Sequence, residues 1–260
     1  MNILAIDAGN TRVKGRFFAG AGEPGFDFVF PRGQLAEAVE EDPEGLAESA
    51  RAVDAVAVCT ARRDDRVVAA RLAEMLGGTG APLFFLSADE PLPFTLRYGS
   101  GRPGSDRLAN VIALREHYAG RGALSIDAGT AANIAVVSPA GEFLGGTILP
   151  GAGLGARALH EATRGRLPEV DASAAHGLPN GVPDSTEGAI RFGLLYGLAG
   201  ALDRLMEELA GRVDFPLRER ILTGGGAPAI RPLLRTEVTY VEGLTLMGLC
   251  AYAKWRLEKG

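Results

Sequence analysis

Two apolar runs along the chain end in the same tetrapeptide, 120 residues apart. Ile6–Gly9 closes the run NILAI, and Ile126–Gly129 closes the run ALSI, both with the letters IDAG. Each tetrapeptide is followed by a threonine, Thr11 or Thr130, and then by a second stretch of β-type residues. A strand, a tight polar turn and a returning strand are therefore predicted at both places.

Beyond each hairpin, the pattern alternates between segments typical of strands and segments typical of helices. A third strand is predicted at 26–30 in the first half and at 142–149 in the second. The later segments of the first half are predicted as helix 33–51, strand 53–58, helix 64–76 and strand 82–86. Those of the second half are predicted as helix 153–163, helix 187–210, strand 219–223, helix 227–234, strand 237–241 and helix 243–257. The order βββαβαβα occurs in both halves of the chain, which predicts two similar α/β domains that face each other.

Two long stretches without periodicity, 87–104 and 165–185, are rich in proline and glycine and predict loops. The first of them separates the two halves, so the predicted domains are 1–100 and 101–260. Loops of this length inside a compact protein are usually functional or disordered.

Composition narrows the class of protein. Because 27 basic residues stand against 32 acidic ones, the chain lacks the basic excess of a nucleic-acid or membrane-surface binder. Cys59 and Cys250, the only cysteines, lie in apolar segments, which indicates buried packing and excludes a disulfide framework or a cysteine zinc site. The apolar runs fall short of the ~20 residues of a membrane helix, and the predicted location is the cytoplasm. Glycine is in excess, with 36 residues, and collects in the polar loops.

The segment Asp7–Lys14 (DAGNTRVK) is the first candidate for chemistry. It offers a carboxylate at the end of a buried strand, then exposed backbone N–H groups and a hydroxyl in a tight turn. Such a turn can hold a phosphate chain while the acid holds a hydrated Mg²⁺, and Lys14 could reach a terminal phosphate. The alternative is that the turn only closes a hairpin. The second copy at Asp127–Thr130 favours the phosphate interpretation, since a nucleotide held between two domains needs one turn from each.

Further candidates lie at the starts of predicted helices. Gly104–Arg107 could place a base beside a substrate hydroxyl and a cation beside a substrate carboxylate, although Asp106 could equally be a helix N-terminal acid without function. Thr186 could contact substrate or could simply neighbour a helix cap. The glycines of Thr223–Gly226 could let an adenine or ribose lie on the backbone. Gly151–Ala156 satisfies G-x-G-x-x-A, but a glycine-led helix start that serves the second phosphate turn is favoured there over a dinucleotide site.

Taken together, these motifs resemble type III pantothenate kinase, a family within the acetate and sugar kinase, heat-shock chaperone and actin superfamily. The resemblance runs from Asp7 to Leu249. The segments that resemble the family are DAGNTRVK at 7–14, GSDR at 104–107, IDAGTA at 126–131, GGTILPGAGLGARAL at 145–159, STEGAIRFG at 185–193, TGGGA at 223–227 and EGLTLMGL at 242–249. It implies two ribonuclease H-like domains with the active site in the cleft between them.

The resemblance also implies roles for individual residues. ATP and its phosphates would be bound by Asp7, Ala8, Gly9, Asn10, Thr11, Arg12, Val13, Lys14 and Thr130. Pantothenate would be contacted by Tyr98, Gly104, Ser105, Asp106, Arg107 and Thr186. Asp106 would be the base for the pantothenate hydroxyl, and Asp127 would hold a monovalent cation, K⁺ or NH₄⁺. The implied protein is a cytoplasmic homodimer that uses ATP and Mg²⁺ to make 4′-phosphopantothenate, the first step of coenzyme A biosynthesis.

The chain departs from the family pattern at two places. Tyr98 is followed by GSGRPG where the family often has Asn-Pro, and Ala132–Asn133 replace a second threonine pair. Two other hypotheses therefore stay open: a kinase of the same fold for another hydroxylated small molecule, and a catalytically silent regulatory or binding homologue. The retained Asp106 argues against the silent homologue.

Overall fold

The fold was analysed in a computed structural model, which describes residues 1–20, 23–32, 53–60, 80–173, 178 and 180–259. Ten strands are described, namely β1 (Ile3–Ala8), β2 (Arg12–Ala19), β3 (Glu23–Pro31), β4 (Ala55–Thr60), β5 (Leu83–Phe85), β6 (Gly122–Ala128), β7 (Ala131–Val137), β8 (Phe143–Pro150), β9 (Leu217–Thr223) and β10 (Thr239–Tyr240). The described α-helices are α1 (Ser105–His117), α2 (Ala152–Ala162), α3 (Thr186–Ala210), α4 (Ala227–Ile230) and α5 (Leu244–Lys259). The predicted helices 33–51 and 64–76 lie outside the described residues.

The strands form two five-stranded sheets with the same order. The first sheet runs β3-β2-β1-β4-β5, and the second runs β8-β7-β6-β9-β10. In both, the first three strands of the sequence pair antiparallel, and the first strand pairs parallel with the fourth. The predicted duplication is confirmed, and this sheet order is that of a ribonuclease H-like fold.

Each sheet has a core of its own. In the first, Ile6, Val13, Phe28 and Val58 are buried together. In the second, the apolar side of α3 packs against β6, β7 and β9, where residues such as Ile126 and Leu222 are fully buried. Aliphatic and β-branched residues fill these central strands, which suits strands covered on both faces.

Packing divides the chain into two compact units, Met1–His117 with Leu244–Gly260, and Tyr118–Gly243. The sequence instead predicts domains 1–100 and 101–260. The two divisions differ because α1 and α5 pack against each other and against the first sheet. Their crossing is close: a side chain at Gly248 would collide with the carbonyl of Ala109, and the buried Thr245 hydroxyl donates to Asn110 Oδ1 at 3.0 Å.

Candidate functional site

Asp7 stands near the end of β1, between two side chains from neighbouring strands. It pairs with Lys14 of the antiparallel strand β2 and with Cys59 of the parallel strand β4. Residues paired across a sheet share a face, so the three side chains lie side by side. The Cys59 thiol donates to Asp7 Oδ1 over 3.2 Å. In the described part of the chain, no other hydrogen bond reaches the Asp7 side chain.

Burial dominates the electrostatics of Asp7 and raises its pKa from 3.8 to about 6. The hydrogen bond from Cys59 acts in the opposite direction, while the nearby negative charge of Asp106 raises the pKa further and Lys14 lowers it. Asp7 and Asp106 are therefore close enough for their charges to interact, as a shared site requires. Burial also raises the pKa of the Cys59 thiol well above its usual value, so this thiol keeps its proton and serves as a donor.

Replacing Asp7 with asparagine should stabilise the metal-free protein at pH 8. In the wild type, ionisation of buried Asp7 does not change the free energy of unfolding below pH 3.8. It lowers this free energy increasingly between pH 3.8 and 6, and by at most about 3 kcal/mol above pH 6. The neutral amide of the variant carries no such cost at any pH. Urea unfolding in a chelator should therefore show a gain for Asp7→Asn at pH 8 that is mostly lost at pH 4.5. Asp214→Asn, at an exposed carboxylate, is the control, and an equal gain at both pH values would contradict the assignment.

The turn between β1 and β2 exposes backbone and polar side chains. Asn10, Thr11 and Arg12 are exposed, whereas the side chains of Ala8 and Val13 are buried in the core. Ala8 and Val13 could therefore meet a phosphate only through the backbone. Gly9, Asn10 and Thr11 lie between the two strands, which leaves their N–H groups outside the sheet ladder.

Arg32 holds this turn in place by two hydrogen bonds, a role that the sequence did not predict. Its guanidinium donates to the carbonyl of Gly9, and its backbone N–H donates to Thr11 O at 3.0 Å. Arg32 directly follows β3, the strand next to β2. No motif marks this arginine in the sequence, because its contact depends on the pairing of β2 with β3.

Asp106 is the second residue of α1, whose start packs against the end of β4. The Ser105 hydroxyl donates to Thr60 O at 3.0 Å, which fixes the helix start to that strand. A side chain at Gly104 would collide with Asp106 Oδ1, so glycine lets the carboxylate fold back over this position. Helix N-termini favour a negative charge, and here the same acid also lies near enough to Asp7 to raise its pKa.

Tyr98 and Arg107, both predicted to contact substrate, contact each other. The Arg107 guanidinium donates to the Tyr98 hydroxyl at 3.1 Å, and its carbon lies 5.6 Å from the centre of the tyrosine ring. Arg107 is only 3% exposed. The pair therefore ties the loop before α1 to the helix that carries Asp106. Substrate contact by either residue stays a prediction.

The second unit repeats the arrangement around Asp127, near the end of β6. Asp127 pairs with Asn133 of β7 and with Thr223 of β9, the positions that correspond to Lys14 and Cys59 in the first sheet. Gly224 has φ of +96°, and a side chain there would collide with Asp127 Oδ1 and Ala128 O. Only glycine suits this close approach.

Thr130 lies in the turn between β6 and β7, and the start of α2 contacts this turn. The N–H of Gly151, the N-cap of α2, donates to Thr130 O at 3.0 Å. The glycine-led start of α2 thus packs on the second turn. In contrast, Thr186 is exposed as the first residue of α3, whose N-cap is Ser185, with its hydroxyl accepting from Gly188 N at 3.1 Å. Whether Thr186 contacts substrate stays a prediction.

The described residues contain neither a metal-binding cluster of acidic, histidine and cysteine side chains nor a membrane-spanning helix. Among these residues, no group of three or more histidine, cysteine, aspartate or glutamate side chains is arranged to hold a metal ion. No helix in the described part of the chain is long and apolar enough to cross a membrane. An ion at Asp7 or Asp127 would therefore need oxygen ligands from other groups.

Fold and site together define the class of protein. Two ribonuclease H-like sheets, each with an acid near the end of its first strand and a polar turn after it, characterise the superfamily of acetate and sugar kinases, heat-shock chaperones and actin. The sequence model of type III pantothenate kinase matches residues 3–208. The chain therefore belongs to the type III pantothenate kinase family.

Relatives of the same family agree with this assignment, and a solved structure agrees with the fold. The chain is 32% identical to the type III pantothenate kinase of Nitrosospira multiformis, over 97% of this chain and 91% of that one. It is 37% identical to that of Porphyromonas gingivalis, over 65% of this chain and 68% of that one. The crystal structure of a conserved Baf family protein from Campylobacter jejuni has a TM-score of 0.60 at 16% identity, and covers 98% of this chain and 99% of that one. The last likeness concerns the fold alone.

Proposed function

We propose that the protein transfers the terminal phosphoryl group of ATP to the primary hydroxyl of pantothenate, giving 4′-phosphopantothenate. The observation that carries this proposal is the juxtaposition of Asp106 with the Asp7–Lys14 turn in a chain of the type III pantothenate kinase family. Asp7 begins the turn that would hold phosphate, and Asp106 lies near Asp7. A kinase needs one acid to bind the metal ion of the nucleotide and a second to accept the proton of the substrate hydroxyl.

In this reaction the chain mainly positions groups and supplies charge. Asp106 accepts the hydroxyl proton as the hydroxyl oxygen attacks the γ-phosphorus, while the bond from that phosphorus to the β,γ-bridging oxygen breaks and ADP leaves. The turn N–H groups of Gly9–Thr11 hold phosphate oxygens, and Lys14 faces the terminal phosphate as a point charge. Tyr98 and Arg107 orient pantothenate.

Asp7 fits the role of holding a hydrated Mg²⁺. It is partly exposed near a strand end, and carboxylate oxygens are the ligands that Mg²⁺ prefers. Because Cys59 contacts Oδ1, the second oxygen of Asp7 would be the one to bind such an ion. When bound, Mg²⁺ neutralises charge on the phosphates.

A monovalent cation at Asp127 is supported by the oxygen atoms around it. Asn133 is 4% exposed, and its Oδ1 is buried and accepts no hydrogen bond from the described residues. Since a buried acceptor without a donor is costly, this oxygen suits a cation beside Asp127. The same asparagine marks a departure from the family pattern, so K⁺ or NH₄⁺ would meet an amide oxygen where relatives offer a hydroxyl.

A homodimer is supported by the outer side of α3. Gly193, Gly197 and Gly200 are exposed, and a Cβ at each would meet no described atom within 4 Å. Tyr196 on the same helix is 44% exposed. Exposed glycines inside a helix cost stability relative to alanine, so a helix partner in a second copy would account for them.

Both cysteines are buried and form no disulfide, in keeping with a reducing cytoplasm.

Gly197→Arg should convert the dimer into a monomer. An arginine at this position would force two close-packed helices apart and bury a charge between them. Size-exclusion chromatography with light scattering should give twice the chain mass of 27.1 kDa for the wild type and a single chain mass for the variant. Glu258→Arg, which adds a positive charge at an exposed site of α5, should remain dimeric. A dimeric Gly197→Arg protein would move the interface elsewhere.

The proposed substrate is tested by turnover with purified protein, MgATP and KCl, coupled to ADP detection. Pantothenate should support turnover well above that of other small hydroxylated acids and of sugars. A different acceptor with a higher kcat/KM would establish the alternative kinase. No turnover with any acceptor, while ATP still binds, would favour the silent homologue.

A further inference from the structure

The contact between Cys59 and Asp7 joins the phosphate turn to the strand beside it. Cys59 is 1% exposed, and its thiol donates to Asp7 Oδ1 over 3.2 Å. An ionised carboxylate can only accept hydrogen bonds, so the thiol must be the donor. This contact fixes the rotation of the carboxylate, because one of its two oxygens is held against β4.

The same strand end also carries the start of α1. Thr60, the residue after Cys59, accepts the hydrogen bond of the Ser105 hydroxyl at its carbonyl oxygen. Asp106 follows directly in that helix. Cys59 and Thr60 therefore contact the elements that carry both acids: Cys59 contacts Asp7 of β1, and Thr60 contacts the start of α1 beside Asp106.

The duplicated sheet has a similar residue at the corresponding position. Thr223 pairs with Asp127 in the second sheet just as Cys59 pairs with Asp7 in the first. Both positions hold a small side chain with a hydrogen-bond donor, whereas their neighbours Val58 and Leu222 are purely apolar and fully buried.

We propose that Cys59 is a positioning residue, which orients the Asp7 carboxylate toward the hydrated Mg²⁺ of bound ATP. This inference rests on the proposed function, in which Asp7 holds that ion. Groups that orient a metal-binding carboxylate by a hydrogen bond commonly contribute 10- to 100-fold to metal affinity or activity. The thiol is a weak donor, so we expect an effect of about tenfold, at the lower end of that range.

The test compares Cys59→Val, which removes the donor and is larger by one carbon, with Cys59→Ser, which keeps a donor. Calorimetry measures the Kd of ATP with Mg²⁺ and with a chelator, without pantothenate. Cys59→Val should weaken MgATP binding about tenfold and leave metal-free ATP binding within about twofold, while Cys59→Ser should stay within about threefold of wild type. The apparent KM for Mg²⁺ in turnover should rise in parallel. Cys250→Val, at the other buried cysteine of the same unit, should bind MgATP as wild type does.

Several results would overturn the role of Cys59. Wild-type MgATP affinity in a folded Cys59→Val protein would do so, as would equal losses in Cys59→Val and Cys59→Ser or in Cys250→Val. Circular dichroism checks folding, and Cys59→Ala replaces Cys59→Val if valine does not fit. If the wild type binds MgATP but does not phosphorylate pantothenate, the proposed function fails, and the binding comparison still decides the role of Cys59. A wild type that gains no ATP affinity from Mg²⁺ would overturn both.

Discussion

Replacing Asp106 with asparagine should lower kcat about 10²- to 10⁴-fold and leave the Kd of MgATP within about threefold of wild type. Asp106 is the acid that stands beside Asp7 at the start of α1, and it is the group assigned to accept the substrate hydroxyl proton. Asparagine has nearly the same shape, so it preserves the packing over Gly104 but cannot take a proton. The turn proposed to bind ATP lies between β1 and β2 and would remain intact.

Stopped-flow or coupled assays at saturating ATP and pantothenate give kcat, and calorimetry gives the nucleotide Kd. The matched control is Asp89→Asn, which changes an exposed acid of the preceding loop that pairs with Arg102. This control should keep wild-type turnover. Wild-type kcat in Asp106→Asn would reject its assignment as the base, and a large loss of ATP binding would mean that it holds nucleotide instead.

Replacing Asp127 with alanine should raise the K⁺ concentration that half-saturates turnover roughly 10- to 100-fold. The carboxylate stands beside the buried Asn133 Oδ1, and the pair offers negative charge and a neutral oxygen to one cation. Removing a charged partner of this kind costs about 1.5–3 kcal/mol, which corresponds to roughly a 10- to 100-fold loss of cation affinity. At a K⁺ concentration that just saturates the wild type, turnover of the variant should fall toward that of wild-type protein without K⁺.

The measurement is the dependence of kcat on KCl, with choline chloride keeping the ionic strength constant. Asp214→Ala, at an exposed acid of the same unit, should retain the wild-type response. If Asp127→Ala protein still responds to K⁺ with an unchanged half-saturating concentration, the cation lies elsewhere. A second check is the binding of Tl⁺ as a K⁺ substitute, measured by ²⁰⁵Tl NMR, which should be weakened to the same extent.

Local patterns predict most of the sheet order but less of the helix ends. The IDAG repeats and the strands after them place Asp7 and Asp127 correctly near the ends of the first strands of both sheets. In contrast, the predicted helix 227–234 divides into α4 and a 3-10 turn at Arg231–Leu233. Pro232 explains the break, since proline lacks the N–H that an α-helix needs and restricts the residue before it.

The contacts that complete the site were out of reach of the sequence. The apolar segment AVAVCT predicts that Cys59 is an ordinary core residue, and Cys59 is indeed buried. Its hydrogen bond to Asp7, however, depends on the parallel pairing of two strands whose paired residues are 52 positions apart. Arg32 reaches the turn only because β3 pairs with β2. Likewise, α1 follows the predicted boundary at residue 100, yet its packing on α5 joins it to the first unit. Periodicity describes one segment at a time, whereas each of these contacts joins two or more.

The most direct test of the account is the product that the wild-type protein makes from pantothenate. Purified protein with ATP, Mg²⁺, K⁺ and pantothenate is followed by mass spectrometry and by ³¹P NMR. The account predicts 4′-phosphopantothenate and ADP in equal amounts, with formation of both about 10²- to 10⁴-fold slower in Asp106→Asn. ATP consumption without a phosphorylated pantothenate, or no consumption by folded protein that binds MgATP, would contradict it.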